Sequence, residues 1–262
     1  MCRHLAYLGP PLPLSALLVD PPHSLLRQSW APRDMRGGGT VNADGFGVGW
    51  YPQHGPPVRY RRAVPIWTDD TLPLLAATTV SGAVLAAVRS ATVGMPVVET
   101  AAAPFADGPW LFSMNGAVAG WPDSVAATAA RLPTRDLLTL DAPTDAALLW
   151  ALVRHRLRAG ATPADAVGGT VREVAAAAPG SRLNLLFTDG HLLVATTVGH
   201  ALSVRTADGS VLLSSEPLDD GPGWRPVPDG HLVVATTNRL DLTPMQPQGE
   251  TSPVRPEPTG RA

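Results

Sequence analysis

The lone cysteine of this 262-residue chain stands at position 2, directly after the first methionine. Aminopeptidases remove a methionine that precedes a small residue, so the expected mature chain starts at Cys2. That start would carry a thiol and a free α-amine on one residue. An α-amine, ordinarily near ~7.7–8.0, is matched to take a proton from a thiol, ordinarily near ~8.5. Nucleophile and base would then share one residue. On position alone such a cysteine is more often an accident of a frayed terminus. The next six residues, Arg3-His4-Leu5-Ala6-Tyr7-Leu8, read as a strand that would tie the terminus down.

Three further places carry residue types that suit the same chemistry. Val88-Arg89-Ser90-Ala91-Thr92-Val93-Gly94 ends a strand with an Arg and a Thr three residues apart. Phe112-Ser113-Met114-Asn115-Gly116-Ala117-Val118 places Asn-Gly between two apolar runs, a pair that alone usually marks a hairpin turn. Pro143-Thr144-Asp145 opens a helix. An amide substrate with an amino-acid end needs a cation for its carboxylate, an anion for its ammonium and donors for the developing oxyanion. Arg89 offers a fork suited to a carboxylate. Asp145 offers the anion. The side-chain N–H of Asn115 and the backbone N–H of Gly116 offer the donors.

The elements that must position these groups read as mixed, with strands outnumbering helices. Strands are expected at Arg3–Leu8, Gly45–Tyr51, Val58–Arg62, Val84–Val88, Leu111–Met114, Leu183–Phe187, His191–Thr197, Leu202–Thr206, Ser210–Ser214 and His231–Thr236. Asp189-Gly190 and Asp208-Gly209 sit between apolar runs and predict hairpins. Helices are expected at Thr71–Val80, Asp123–Arg131, Thr144–Leu157 and Pro163–Ala177. Thr144 or Asp145 would cap the third, and Thr162 the fourth, with Pro163 at the first helical position. Strands at both ends around two central helices imply an antiparallel α+β layout rather than a βαβ alternation.

Composition removes whole classes of function. All 20 basic residues are Arg, so no mechanism built on a lysine is open. One Cys excludes a disulfide framework and Cys-rich metal sites. A formal charge of −2 argues against a nucleic-acid or anionic-membrane surface. No apolar run reaches the ~18–20 residues that span a bilayer, and Pro11–Val19 is too short and too rich in Pro for a signal peptide. A cytoplasmic site, where a lone thiol stays reduced, is expected. The seven His, at 4, 23, 54, 155, 191, 200 and 231, show no close helical pairing that would hold a metal. His4 reads as an ordinary strand residue more readily than as support for Cys2. Residues 2–245 are expected to form one unit, and 246–262, with four Pro, a disordered tail.

Taken in order, an N-terminal Cys, Arg-x-Ala-Thr-x-Gly, Asn-Gly and Thr-Asp at a helix start resemble the class II glutamine amidotransferase domains of the N-terminal-nucleophile hydrolases. The Asn42–Tyr51 run is similar to that family's early glycine-rich strand. The resemblance implies a four-layer αββα sandwich, two antiparallel sheets between helix layers. It implies Cys2, Asn115 and Gly116 as the catalytic set and Arg89, Thr92 and Asp145 as glutamyl-binding residues. It implies no metal and no cofactor. More narrowly, Cys2–Gly9, Gln28–Arg33, the Asn42 run and Ser215–Asp219 are similar to the amidohydrolases of ergothioneine biosynthesis. That similarity implies a small-molecule substrate whose γ-glutamyl amide is hydrolysed, γ-glutamyl-hercynylcysteine sulfoxide. Its leaving side carries a trimethylammonium group and a carboxylate, for which Trp30 and Trp50, with Arg33 or Arg36, are candidate contacts. Ser90, and Ala101-Ala102-Ala103, depart from glutamine-using relatives, which often carry bulkier side chains there. That is compatible with a larger substrate. A glutaminase serving a separate synthase, and a binding protein that only keeps the fold, stay open at this point.

Overall fold

The computed structural model describes residues 2–36, 41–207 and 209–245. Met1, Asp208 and the stretch 246–262, on which the tail was expected, lie outside the described residues. In chain order the elements are β1 (Arg3–Pro13), α1 (Ser15–Leu18), α2 (Leu25–Gln28), β2 (Phe46–Trp50), β3 (Val58–Arg62), α3 (Leu72–Thr78), β4 (Val80–Val88), β5 (Phe105–Asp107) and β6 (Trp110–Ala117). They continue with α4 (Ala126–Ala129), α5 (Thr134–Leu138), α6 (Asp145–Arg158), α7 (Pro163–Ala177), β7 (Arg182–Thr188), β8 (Leu193–Thr197), β9 (Ser203–Ala207), β10 (Ser210–Ser214), β11 (Arg225–Pro226), β12 (His231–Thr236) and β13 (Arg239–Pro244).

Two sheets form, one ordered β11-β9-β10-β1-β4-β2-β3 and the other β13-β12-β8-β7-β6-β5. The pairings within both are antiparallel. Period-two burial divides the apolar side chains into three layers. Ala6, Leu8, Leu85, Leu111, Leu186 and Val211 fill the space between the sheets. Leu5, Tyr7, Phe46, Val88 and Leu212 face outward from the first sheet onto the short helices α1 to α3. Phe112, Met114, Leu185 and Phe187 face outward from the second sheet onto α6 and α7, with Phe112 stacked on Trp150 at 5.3 Å. The order helix, sheet, sheet, helix is the expected αββα sandwich.

The helix starts follow the sequence signals. Thr144 Oγ1 accepts the N–H of Ala147, and Thr162 Oγ1 that of Asp165. Asp189-Gly190 links paired β7 and β8, with Gly190 at φ +90°. Several expectations need correction. The helix expected at Thr71–Val80 stops at Thr78, because Val80 already pairs with Pro13 in the first sheet. The helix expected at Asp123–Arg131 is a 3-10 turn, Asp123–Val125, followed by the short α4. Asn115-Gly116 is not a turn at all. Both residues lie inside β6, opposite Asn184 and Leu183 of β7. A Cβ on Gly116 would stand 1.9 Å from the carbonyl oxygen of Arg182, so glycine here admits a close strand rather than a reversal.

Candidate active site

The first strand carries Cys2 into the site. β1 runs antiparallel to β4 with Arg3 opposite Val88, so Cys2 is set beside Arg89 where β4 ends. The half-buried thiol of Cys2 lies 3.7 Å from the carbonyl oxygen of Ser90. Arg3 anchors the chain start from the other side of the sheet. Its Nε donates to Glu216 Oε1 at 2.8 Å, and its Nη1 donates to the Cys2 carbonyl at 3.0 Å. Its Nη2 donates to the Asp34 carbonyl. Glu216 Oε2 accepts the N–H of Arg33 at 2.6 Å. This buried ion pair fixes Cys2 and the Arg33–Asp34 loop in one frame.

Cys2, Arg89, Thr92, Gly116, Thr144 and Asp145 line one partly open pocket of about 520 Å³, its solvent-filled mouth included. Its apolar wall is small-sided, with Ala91, Ala101 and Ala103 beside Phe105 and Met114. Gly116 reaches this wall because β5 pairs with β6 only from Trp110 to Phe112, leaving the β6 edge from Ser113 onward without that neighbour. Arg89 is buried, with Nη1 donating to the carbonyls of Pro96 at 2.9 Å and Asp44 at 3.5 Å. Those two contacts hold the guanidinium still. Asp44 is itself fixed, its Oδ2 accepting the N–H of Ala91.

Asp145 is the first residue of α6, and Thr144 rather than Asp145 provides its cap. Asp145 Oδ2 accepts the N–H of Val118 at 3.0 Å and Oδ1 that of Ala146 at 2.8 Å. Burial nevertheless pushes its carboxyl above the ordinary value, because desolvation outweighs those two N–H groups and the nearby Arg89 guanidinium. A buried, incompletely neutralised carboxylate facing a pocket is a natural seat for a cation.

The structure therefore brings together Cys2, Arg89, Thr92, Gly116 and Asp145. Asn115 stands on the same strand but turns its side chain toward the inter-sheet layer. Its Nδ2 lies 3.5 Å from Ser215 Oγ, and that hydroxyl bonds both backbone groups of His4. Trp30 does not reach this pocket: it is half exposed, and the Arg27 guanidinium covers its ring at 3.9 Å. Trp50 packs into the outer layer of the first sheet. Arg33 and Arg36 are also outside the pocket, paired with Asp220 and Asp34. Sequence reading missed Ser215 and Glu216 as site supports. The signal lay in two polar residues directly following the apolar strand Val211–Ser214, a place where burial needs partners. His4, expected as an ordinary strand residue, is fully buried against Ser113.

Comparison with known proteins defines the class. A family model described as class-II glutamine amidotransferases matches residues 19–207, and the chain belongs to that family. Over 249 residues, 94% of this chain and 100% of the relative, it is 42% identical to the γ-glutamyl-hercynylcysteine sulfoxide hydrolase of Mycolicibacterium smegmatis. It is 44% identical over 245 residues to the protein of the same name from Mycobacterium tuberculosis, covering 93% of this chain and 96% of that one. Among solved structures, a class-II glutamine aminotransferase domain protein from Silicibacter pomeroyi superposes with TM-score 0.66 at 23% identity, over 93% of this chain and 99% of that one. The glutamine phosphoribosylpyrophosphate amidotransferase of Bacillus subtilis superposes with TM-score 0.63 at 14% identity, over 94% of this chain and 49% of the larger one. These two likenesses establish the fold.

Proposed function

We propose that this chain hydrolyses the γ-glutamyl amide of γ-glutamyl-hercynylcysteine sulfoxide, releasing glutamate and hercynylcysteine sulfoxide. The observation that carries the reading is one pocket holding a thiol, a buried guanidinium and a buried carboxylate, with the closed-packed Gly116 on its wall. The relatives' names point to the substrate. In this reading one amidotransferase-type unit takes up residues 2–245. It works in the cytoplasm, whose reducing poise keeps the lone thiol free.

Removal of Met1 frees the α-amine of Cys2. Arg89, with Thr92 at the rim, receives the α-carboxylate of the glutamyl group, and Asp145 receives its ammonium. The thiol then faces the γ-carbonyl. The α-amine takes the thiol proton, and the thiolate attacks the carbonyl carbon. Gly116 N–H stabilises the resulting oxyanion, and Asn115 becomes the second donor when its side chain rotates from Ser215 Oγ toward the pocket. The protonated amine returns its proton to the leaving nitrogen, the C–N bond breaks, and a γ-glutamyl thioester remains. Water attacks that thioester, the amine taking its proton, and the C–S bond breaks to release glutamate and the thiol.

Hydrolysis assays without any partner protein test this reading. The purified chain should cleave a bulky γ-glutamyl amide of cysteine in preference to glutamine, and Cys2→Ala should abolish turnover. Faster cleavage of glutamine, or an active Cys2→Ala protein, would overturn it.

A further inference from the structure

The glycine-rich stretch Gly45-Phe46-Gly47-Val48-Gly49 takes no part in the chemistry described so far. Phe46 and Val48 face the outer layer of the first sheet, so Gly47 and Gly49 face the second sheet. In the β2–β3 ladder Gly47 stands opposite Arg61, and Gly49 opposite Arg59. One face of this strand pair is therefore bare backbone on β2 and two guanidiniums on β3. The segment Ala101–Pro104, just before β5, is pressed onto that face. A Cβ at Gly47 would stand 2.3 Å from the Ala103 carbonyl oxygen, and one at Gly49 would stand 3.2 Å from Cγ of Pro104. Glycine inside a strand gives up packing and costs ordering entropy, and a close backbone approach is the usual reason for it.

The two arginines hold this segment by its carbonyls. Arg59 Nη1 donates to the Pro104 carbonyl at 3.1 Å, and Arg61 Nη1 donates to that of Ala102 at 3.2 Å. Donors two residues apart on one face of β3 thus meet acceptors two residues apart on the segment. Ala101 and Ala103 of the segment line the same pocket as Thr144, Asp145 and Ala146 at the start of α6. Arg61 is tied to that second wall as well. Its Nη1 lies 3.9 Å from Asp141 Oδ1, and both side chains are largely buried. Asp141 leads into the turn in which the Thr144 N–H donates to the Ala142 carbonyl at 2.8 Å, one residue before Asp145. Burial, then Arg61, hold the Arg59 guanidinium below its usual range while Asp141 acts in the opposite sense, so one carboxylate serves both arginines.

We propose that β2 and β3 form a cradle for the Ala101–Pro104 wall, and that Arg61, bound to this wall and paired with Asp141, sets the width of the pocket and so its grip on a γ-glutamyl substrate. The inference rests on the function proposed for that pocket. Arg59 and Arg61 are not among the residues that line it, so both are positioning residues. Cys2 adjoins β1 and Gly116 lies in β6, apart from the two contacts that Arg61 makes. Releasing the clamp should therefore loosen binding and leave the thiol as reactive as before.

Steady-state hydrolysis of a γ-glutamyl amide reads the grip. Arg61→Met keeps an apolar stem and removes both contacts. It should raise KM about 10-fold with kcat within ~3-fold of wild type, the pattern of lost binding shared by ground and transition states. The rate of Cys2 alkylation by iodoacetamide should not change. Arg61→Lys, which can donate to the carbonyl and pair with the carboxylate, should recover most of the KM. Asp141→Asn should raise KM less, and adding it to Arg61→Met should change KM little further, since it acts through that guanidinium. An unchanged KM in Arg61→Met, a joint fall of kcat and alkylation, or full additivity of the two substitutions overturns the proposal. Amide hydrogen exchange of the unliganded chain needs no turnover. In Arg61→Met, residues 99–106 and 139–146 should exchange faster while α7 keeps its protection. Unchanged exchange in those stretches, or equal acceleration in α7, overturns the cradle. A wild-type chain inert toward every γ-glutamyl amide would instead sink the functional reading, while exchange still judges the cradle.

Discussion

Adding one methyl group at Gly116 should separate chemistry from binding in this site. An ideal Cβ there would stand 1.9 Å from the carbonyl oxygen of Arg182 and 2.6 Å from its carbon. Real Cβ contacts stay above 3.0 Å, so the 1.9 Å approach must open by 1.1 Å. The obstacle is backbone of β7, which cannot turn aside as a flexible side chain would. β6 must therefore shift where Asn115 and Gly116 sit. A shift of about 1 Å is enough to cost on the order of 10² in rate, and full loss of one oxyanion donor costs ~10²–10³, or ~2.7–4 kcal/mol of barrier. Gly116→Ala should therefore lower kcat by about 10²- to 10³-fold. Arg89 and Asp145 come from β4 and α6, so KM should stay within ~3-fold of wild type. Overpacking should also cost about 1–3 kcal/mol of folding stability, visible as a lower urea midpoint. Steady-state hydrolysis of a γ-glutamyl amide, with iodoacetamide labelling of Cys2 as a control on the nucleophile, reads these out. A Gly116→Ala enzyme with kcat within ~3-fold of wild type would refute the oxyanion assignment.

Three further outcomes follow from the same geometry. Arg89→Lys keeps the charge but loses the fork, and should raise KM by about 10- to 10²-fold with a smaller effect on kcat, measured by initial rates over a substrate series. Because burial raises the Asp145 carboxyl, the acid limb of kcat/KM should lie above the ordinary carboxylate value, and it should vanish from the already weak profile of Asp145→Asn. His4 and His200 are held neutral in the fold at about 3 and about 4, below their ordinary 6.5. An unfolded chain thus binds protons that the folded one does not, and stability present above pH 6.5 is lost as pH falls toward 4, at up to ~1.4 kcal/mol per pH unit for each ring. Urea unfolding from pH 7 to pH ~4.5 should show that slope, and His200→Phe should flatten it.

Much of the site was legible because its parts obey local rules. The caps at Thr144 and Thr162 and the turn at Asp189-Gly190 follow from short-range hydrogen bonding and backbone freedom, which the sequence displays directly. Cys2, Arg89 and Asp145 were readable because each stands at an element's end, where a polar residue has an obvious alternative to burial. Asn115-Gly116 shows where local reading fails. The dipeptide favours a turn, yet the Arg182 carbonyl 66 positions downstream makes glycine necessary in a strand, and no neighbour in sequence reveals that. The His4, Asn184, His200 and Ser215 group was hidden for the same reason. His4 and Ser215 meet within the first sheet and Asn184 and His200 within the second, and the stacking of the two sheets brings the two pairs together. Trp30 misled in the opposite way, since an exposed aromatic suggests a ligand wall while its face is already taken by Arg27.

The account stands on Cys2 acting as nucleophile with its own amine as base. Rapid-quench mass spectrometry of the enzyme mixed with a γ-glutamyl substrate measures this directly. A γ-glutamyl adduct should appear before steady state on a peptide that begins at Cys2 with an unblocked amine, and it should decay at the rate glutamate is released. Turnover by protein that still carries Met1, or an adduct mapped to any other residue, would contradict the account.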